Sequence, residues 1–409
     1  MKFSPRVKTG TYVLEGLNAF STTLYFNYLF FHTRDQFGFT NLGNLTLAAL
    51  NGLAYVSVVG MAGRFAQKYG YFRALKVGFL IMAVALILGV VVRGVNSTVI
   101  TMVIWTLGIG FTWPALEAIV SEHEPPGKLQ RRIGIYNVIW ALGSGLATFV
   151  GGALQDRLGT LSTFTIPAVI HLAQLGFLLW LEQQDRGYVP VAMDPNPTQL
   201  GEQAASMRSS VPPSVFMKMA WVANPFSYVA INGLIPVIPQ RAVDLNLDAT
   251  AAGVFSSVWF FARSAAFVGL WLWTGWHYRF RWLIWSYVAM AICFVLILVG
   301  HSFWLLIGAQ VVFGFAVGLT YYSSLFYSMD IGDTKGEHGG LHETALGMGI
   351  FGGPAIGAVS LRFFPDSPNM NTWAVAVLLT VGMAGLLALR YRPGRRQPPA
   401  ADRPLPPMT

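Results

Sequence analysis

The stretch ALKVGFLIMAVALILGVVV, residues 74–92, decides the fold of this chain. It contains only one charged residue, Lys76, close to its beginning. As an α-helix it would rise about 28 Å at 1.5 Å per residue, which matches the roughly 30 Å of hydrocarbon in a bilayer. The stretch therefore predicts a helix that crosses a membrane.

Similar apolar stretches fill most of the remaining chain. Of its 409 residues, 54% are hydrophobic and only 11% are charged, whereas soluble domains carry about 25% charged residues. We predict an all-α membrane protein with twelve transmembrane helices in two pseudo-two-fold-related six-helix bundles. The predicted spans are Thr11–Phe31, Gly43–Gly63, Ala74–Val92, Thr98–Val120, Ile133–Leu154, Ser162–Leu181, Met217–Ile238, Ala249–Trp273, Trp282–Gly300, Phe303–Tyr327, Leu341–Leu361 and Asn371–Leu389.

A polar, proline-bearing segment divides the spans into two groups of six. A shift of 208 positions lays Gly110-Phe-Thr-Trp113 over Gly318-Leu-Thr-Tyr321 and keeps the span boundaries in phase. Two halves of equal topology imply a two-fold axis along the membrane normal, with a binding site where the halves meet. The predicted domains are an N-terminal bundle (1–182), a cytoplasmic linker (183–213), a C-terminal bundle (214–391) and a disordered cytoplasmic tail (392–409).

The loops alternate in charge, and 21 of the 27 lysines and arginines fall on one side. Short cytoplasmic loops retain cations more readily than translocated loops do. Both termini and the linker are therefore predicted to be cytoplasmic. The exceptions are Arg34, Arg93, Arg157, Arg241 and Arg362 on the other side, and Arg263 inside a span.

Several function classes are excluded or disfavoured. The net charge of +9 follows from this topology, so we expect no nucleic-acid partner. The acidic and histidine residues between Asp330 and Glu343 lack a familiar metal-ligand spacing, and we expect neither a metal nor another cofactor. We find no motif that unites a nucleophile, a base and an orienting group, so the chain is not expected to be an enzyme.

Three segments, Gly63–Arg73, Trp113–Gly134 and Gly143–Gly152, carry motifs that resemble those of the major facilitator superfamily. Together with the span pattern they extend the resemblance over residues 10–391. Gly63-Arg-Phe-Ala-Gln-Lys-Tyr-Gly-Tyr-Phe-Arg73 is similar to the family's cytoplasmic loop motif, with Gln67 in place of the usual aspartate. Trp113 to Gly134 resembles the connection between spans four and five. The glycine-rich run from Gly143 to Gly152 resembles the antiporter motif, with Leu146 where proline is expected.

This resemblance implies a monomeric secondary transporter in the cytoplasmic (inner) membrane, and a gating role for the loop motif. It also implies a multi-pass protein that alternates its access between the two sides of the bilayer. The candidate gating residues are Gly63, Gln67, Lys68, Gly70 and Arg73.

Charged residues inside spans are the strongest functional candidates, because an uncompensated charge is costly in a bilayer and tends to face a cavity. Arg263 lies near the midplane and could bind a carboxylate or phosphate; the alternative is a structural ion pair or carbonyl contact. Glu117, Glu343 and Glu15 are candidates for proton coupling. For Glu343 and Glu15 the alternative is a favourable interaction with the dipole of the first helical turn.

Aromatic and amide side chains on the spans that line the cavity in the family would suit a small organic solute, and ordinary membrane packing is the alternative reading. These candidates are Asn18, Tyr25, Tyr28, Trp113, Asn224, Tyr228, Asn232, Tyr321 and Tyr322.

The sequence as a whole predicts a proton-coupled transporter of a small organic solute, for which an anionic group would suit Arg263. Its partners would be that solute, protons and the lipid bilayer. Two alternatives stay open: a multidrug-type proton-coupled exporter, and a receptor that keeps the fold without transporting. The sequence does not identify the solute or the direction of flux.

Overall fold

The structure is a computed structural model that describes residues 3–122, 126–186, 212–331 and 335–391. Within these ranges the side chains of residues 126–130, 329–331 and 335–342 are not described. Most of the predicted linker and all of the predicted tail lie outside the described residues. The side chains of the acidic and histidine residues that precede Glu343, where no metal site is expected, also lie outside the described residues.

The described chain folds into α-helices joined by short connections. A 3-10 turn, Ile235–Val237, separates α7 from α8. The helices are α1 (Pro5–Phe37), α2 (Asn41–Tyr69), α3 (Tyr71–Val91), α4 (Val95–Ser121), α5 (Pro126–Leu158), α6 (Ser162–Asp185), α7 (Pro213–Leu234), α8 (Ile238–Asp244), α9 (Ala249–Leu272), α10 (Phe280–Val299), α11 (Phe303–Ile331), α12 (Lys335–Phe363) and α13 (Met370–Tyr391).

Eleven helices in the described residues, with α7 to α8 taken as one, are long and apolar enough to cross a membrane. The remaining long helix is α1, which has 33 residues. Its buried face carries polar side chains such as Glu15, Asn18 and Asn27. These polar side chains lower the mean hydropathy of α1. We infer that α1 crosses the membrane with this face packed against neighbouring helices and away from lipid.

Helix ends follow local capping rather than the width of the hydrocarbon. The Ser4 hydroxyl accepts a hydrogen bond from the backbone N–H of Val7, and Pro5 occupies the first turn, so α1 begins six residues before the predicted span. At the corner between α2 and α3, Gly70 adopts φ 96°, a conformation that favours glycine. Several predicted spans were therefore shorter than the helices that contain them.

The seventh span is interrupted near its end. Pro236 and Pro239 lack the backbone N–H that an α-helix requires, and the chain passes through the 3-10 turn between α7 and α8. Pro225, by contrast, lies inside α7 without ending it. The interruption therefore lies at the second and third of the three prolines in this span.

The helices pack as two groups, α1 to α6 and α7 to α13. In the first group, α1 packs on α5 and α6, while α3 packs on α4 and α6. In the second, α7 packs on α11, α12 and α13. Two pairs, α2 with α12 and α5 with α9, provide most of the contact between the groups.

We call the end of the molecule where α1 begins and α13 ends the terminal face, and the other end the opposite face. The two groups are tied together at the opposite face. Asp156 accepts hydrogen bonds from the backbone N–H and hydroxyl of Thr250 at 3.1 and 2.5 Å. Asn44 donates to the carbonyl of Pro236 at 3.2 Å. The structure is therefore closed toward the opposite face.

Candidate functional site

A small cavity lies at the contact between the two bundles. Its volume is about 30 Å³, and a water molecule requires roughly 10–15 Å³ measured in this way. In this conformation the cavity therefore accommodates about two water molecules and no larger solute. It is lined by Glu15, Tyr55, Trp113, Glu117, Tyr136, Trp140, Tyr228, Tyr321, Glu343, Leu346 and Ile350.

Three carboxyl groups face this cavity from three different helices. Glu15 is on α1, Glu117 is on α4 and Glu343 is on α12. The first two helices belong to the first bundle, and α12 belongs to the second. The acidic residues that the sequence nominated on separate spans therefore converge on one place at the bundle interface.

Tyrosines hold two of the three carboxyl groups. Tyr136 donates a hydrogen bond to Oε2 of Glu15 at 2.9 Å, and Tyr55 donates one to Oε2 of Glu343 at 2.5 Å. The first bond lies within one bundle, whereas the second joins α2 to α12. Glu15 and Glu343 are buried, whereas Glu117 is partly exposed to the cavity.

The helix-dipole alternative for Glu15 and Glu343 does not hold. α1 begins at Pro5 and α12 at Lys335, so these carboxylates lie ten and eight residues into their helices. The effect of the helix dipole on a carboxylate is confined to the first turn. The backbone N–H groups at the helix starts therefore do not account for either residue.

Arg263 lies on α9 behind the cavity wall, and its side chain is 4% exposed. Its guanidinium carbon is 4.2 Å from the ring centroid of Trp140 and 5.1 Å from that of Trp259. The Nε atom is buried and has no hydrogen-bond partner. No carboxylate of the described residues lies within ion-pair distance, so the structural ion pair considered from the sequence is not found there.

Trp140 connects Arg263 to the cavity. Its ring lines the cavity and lies 5.1 Å from the ring of Tyr321, measured between centroids. Tyr321 in turn lies 6.3 Å from Tyr228. The guanidinium is therefore separated from the three carboxyl groups by a wall of aromatic rings, on which cations are favourably placed.

Three of the predicted solute-binding residues, Trp113, Tyr228 and Tyr321, line the cavity. The candidates on α1 do not. Asn18 contacts Thr112 of α4 at 3.5 Å, and Tyr25 packs against Trp105, with 4.6 Å between ring centroids. Tyr28 donates to a backbone carbonyl of α5 at 2.5 Å. In this conformation Asn18 and Tyr25 are buried within the first bundle, and Tyr28 is buried against Gly253 of α9.

The remaining candidates lie within the second bundle. Asn224 accepts a hydrogen bond from Ser227 at 3.2 Å, and Asn232 donates to the carbonyl of Tyr228 at 3.0 Å. Tyr322 packs against Trp276, with ring centroids 5.8 Å apart. None of the three lines the cavity in this conformation.

The predicted gating motif forms the corner between α2 and α3 on the terminal face. Gln67, Lys68 and Arg73 are exposed there, and Gly70 makes the turn. A side chain added at Gly63 would meet nothing within 4 Å. The motif faces solvent in the described residues, and its gating role stays a prediction.

Sequence reasoning missed three residues that shape the site: Tyr55, Tyr136 and Trp140. Tyr136 and Trp140 are four residues apart on α5 and therefore lie on the same face of the helix. That spacing, next to the glycine-rich run, was the available signal. Tyr55 gave no comparable signal, since a single tyrosine in a span is common.

Comparisons with known proteins agree with the fold. The chain is 19% identical over 361 residues to the quinolone resistance protein NorA of Staphylococcus aureus (strain MRSA252), covering 83% of this chain and 85% of that protein. A structure of the peptide transporter POT in complex with sulfate matches with a TM-score of 0.70 at 16% identity, covering 96% of each chain. A mutant of the nucleoside transporter NupG matches with a TM-score of 0.69 at 14% identity, covering 94% of this chain and 99% of that one.

The sequence model of the Major Facilitator Superfamily matches residues 11–226 and 220–407, which together cover nearly the whole chain. This match confirms the resemblance drawn from the loop motifs, and with the structural matches it confirms the all-α membrane fold. The protein accordingly belongs to the Major Facilitator Superfamily and is a multi-pass membrane protein of a transporter family.

Proposed function

We propose that this protein is a secondary active transporter that couples the movement of protons to that of a small organic solute by alternating access. The observation that carries the proposal is the convergence of Glu15, Glu117 and Glu343 on one small cavity between the bundles. Ionisable residues inside membrane spans are costly to maintain and mark ion or solute pathways. Sites of this kind lie near the midplane at the interface of the repeats.

Proton coupling follows from the crowding of negative charge. Three carboxylates around a cavity of about 30 Å³ repel each other where little water screens them. Taking up a proton relieves this repulsion when the cavity is closed, and water admitted by opening permits its release. Glu117 is the favoured exchange site because it is partly exposed to the cavity and makes no side-chain hydrogen bond within the described residues.

The solute class follows from Arg263 and the aromatic wall. A buried guanidinium whose Nε has no partner is satisfied by a carboxylate or phosphate, which accepts bidentate hydrogen bonds. Trp140, Tyr228 and Tyr321 present flat apolar surfaces beside it. We therefore propose a solute with an anionic group and an aromatic or apolar body, which enters when the bundles separate.

The experiment measures proton movement driven by solute. Purified protein in liposomes that contain a pH-sensitive dye is given members of a panel of aromatic carboxylates under an imposed pH gradient. We expect at least one to move protons in the wild type. Glu117→Gln is expected to abolish this movement while retaining solute exchange in counterflow.

Glu182→Gln provides the matched control, since Glu182 forms an ion pair with Lys76 at 3.0 Å, far from the cavity. It is expected to behave as wild type. Binding of carboxylates without flux under every gradient would contradict transport and favour the receptor alternative.

A multidrug-type exporter is the second candidate, and two observations favour it. The chain resembles NorA, whose name describes quinolone resistance. Three carboxyl groups among aromatic rings also suit a flat organic cation. Lipophilic cations such as ethidium therefore belong in the same panel: proton movement with cations and not with carboxylates would select the exporter.

The finer assignments belong to the same proposal. We place the protein in the cytoplasmic membrane as a monomer with both termini cytoplasmic, and we assign it no enzymatic role. The two bundles, 1–182 and 214–391, would rock about the cavity as units.

A further inference from the structure

The hydrogen bond between Tyr55 and Glu343 crosses between the two bundles. The Tyr55 hydroxyl on α2 donates to Oε2 of Glu343 on α12 at 2.5 Å. The comparable bond from Tyr136 to Glu15 joins α5 to α1 inside the first bundle. A change at Glu343 therefore acts directly on the contact between the two bundles.

This bond lies beside the closest approach of α2 and α12. A methyl group at Gly52 would overlap the backbone of Phe351, and one at Gly347 would lie 2.7 Å from Val56 Cγ2. Tyr55 is three residues from Gly52 on the side toward the terminal face. The bond therefore closes the α2–α12 seam on the terminal side of the point where the helices touch.

We propose that Tyr55 is the positioning residue through which the protonation of Glu343 controls the separation of the two bundles at the terminal face. This inference rests on the proposed proton-coupled function. It adds to that function a positioning residue and the face at which the bundles separate. A hydrogen bond to an ionised carboxylate is about twice as strong as one between neutral groups. Ionised Glu343 holds the seam closed, and protonated Glu343 releases it.

The titratable groups around Glu343 are those that line the cavity. α13 carries its titratable groups, Arg390 and Tyr391, at its end on the terminal face. Groups that face Glu343 from the other elements are Glu15 from α1, Tyr55 from α2, Glu117 from α4, Tyr136 from α5, Tyr228 from α7 and Tyr321 from α11. Of these, Tyr55 donates a hydrogen bond to Glu343.

The test measures the bundle separation directly and needs no solute. With Cys293, the only cysteine, replaced by serine, spin labels at Gln67 and Arg281 report the distance across the terminal face; both sites are exposed. Spectra are compared between about pH 5 and about pH 8. In the wild type we expect the longer distance to gain population at acidic pH.

Tyr55→Phe keeps the ring that packs 6.0 Å from Trp113 but removes the donor. We expect the open population to be about tenfold higher at alkaline pH, as for loss of one charge-assisted hydrogen bond, and the pH response to be lost. Glu343→Gln, which can still accept from Tyr55, is also expected to show no pH response.

Tyr287→Phe removes a tyrosine hydrogen bond inside one bundle and away from the cavity, to the carbonyl of Leu379 at 2.9 Å, and is expected to keep the wild-type pH response. If Tyr55→Phe retains that response, or Tyr287→Phe loses it equally, the inference is wrong. Failure of the proposed function is distinguishable: a wild type whose bundles respond to pH through Tyr55 but which moves no protons with any solute would contradict transport and leave the switch intact.

Discussion

Arg263 illustrates at the scale of one residue how a membrane interior makes a charge informative. A guanidinium surrounded by Trp140, Trp259 and Phe260 gains cation–π stabilisation of about 0.5–2 kcal/mol. That gain falls short of what transfer of a cation from water costs. An anion that enters the site would add what is missing, so the arginine favours binding of a negatively charged group.

Replacing Arg263 tests this account. A lysine keeps the charge but loses the planar guanidinium that stacks on the tryptophan rings, and an alanine loses both the charge and the stacking. We expect Arg263→Lys to raise the KM for an anionic solute about tenfold and Arg263→Ala about 100-fold, as for charge-assisted hydrogen bonds of roughly 1.5–3 kcal/mol. The measurement is uptake by liposomes containing the purified protein at varied solute concentrations.

Arg281 offers the control, since it is exposed at the start of α10 and lies 5.7 Å from the ring of Trp282. Arg281→Ala is expected to leave KM unchanged. Unaltered uptake by Arg263→Ala would show that the arginine stabilises the fold rather than binding solute.

The sequence could nominate the three glutamates because charged side chains stand out in apolar spans. It gave no signal for Tyr55, and for Tyr136 and Trp140 only their spacing on one helix face, since aromatic residues serve equally well in packing and at cavities. Which face of a helix points toward the axis depends on its rotation within the bundle. That rotation is set by contacts between residues distant in sequence, such as Tyr136 with Glu15.

At the scale of elements, the number and order of the helices followed from hydropathy, whereas their ends and contacts did not. Hydropathy reports only the apolar stretch that crosses the hydrocarbon, and α1 continues beyond that stretch to Phe37, after which Gly38 with φ 68° ends the helix. The glycines illustrate the same limit. Their spacing allowed close helix contacts, but the partner helices became evident only from the fold.

Gly52 on α2 provides a test of the close crossing with α12. A methyl group there would overlap the backbone of Phe351, and overpacking of this kind costs about 1–3 kcal/mol. We expect Gly52→Ala to separate the bundles, to lower the thermal stability of the purified protein and to reduce transport. Both are measured on the same detergent-purified and reconstituted preparation.

Gly60 on the same helix is the matched control, because a methyl group there would meet nothing within 4 Å. Alanine is favoured over glycine in a helix by about 1 kcal/mol, so Gly60→Ala should be neutral or stabilising. Equal effects of the two substitutions would mean that α2 responds to helix propensity and not to its contact with α12.

The whole molecule adopts a single conformation, which under the proposed function is one state of an alternating-access cycle. Its bundles are joined at the opposite face by Asp156 with Thr250 and by Asn44 with the carbonyl of Pro236. These bonds must break for a solute to enter from that side. The cavity of about 30 Å³ between these bonds and the terminal face is too small for a solute in this conformation, so the bundles must also move for a solute to bind.

The orientation of the whole molecule in the membrane is the last testable expectation. Because lysine and arginine concentrate on the loops of the terminal face, that face should be cytoplasmic. In a Cys293→Ser background, Gln67→Cys at the terminal face and Asn96→Cys at the opposite face are both exposed sites. On intact cells a membrane-impermeant maleimide is expected to label only Asn96→Cys, and permeabilised cells should label both. Labelling of Gln67→Cys from outside would show that the topology is inverted. The terminal face, and with it the switch at Tyr55, would then be on the external side of the membrane.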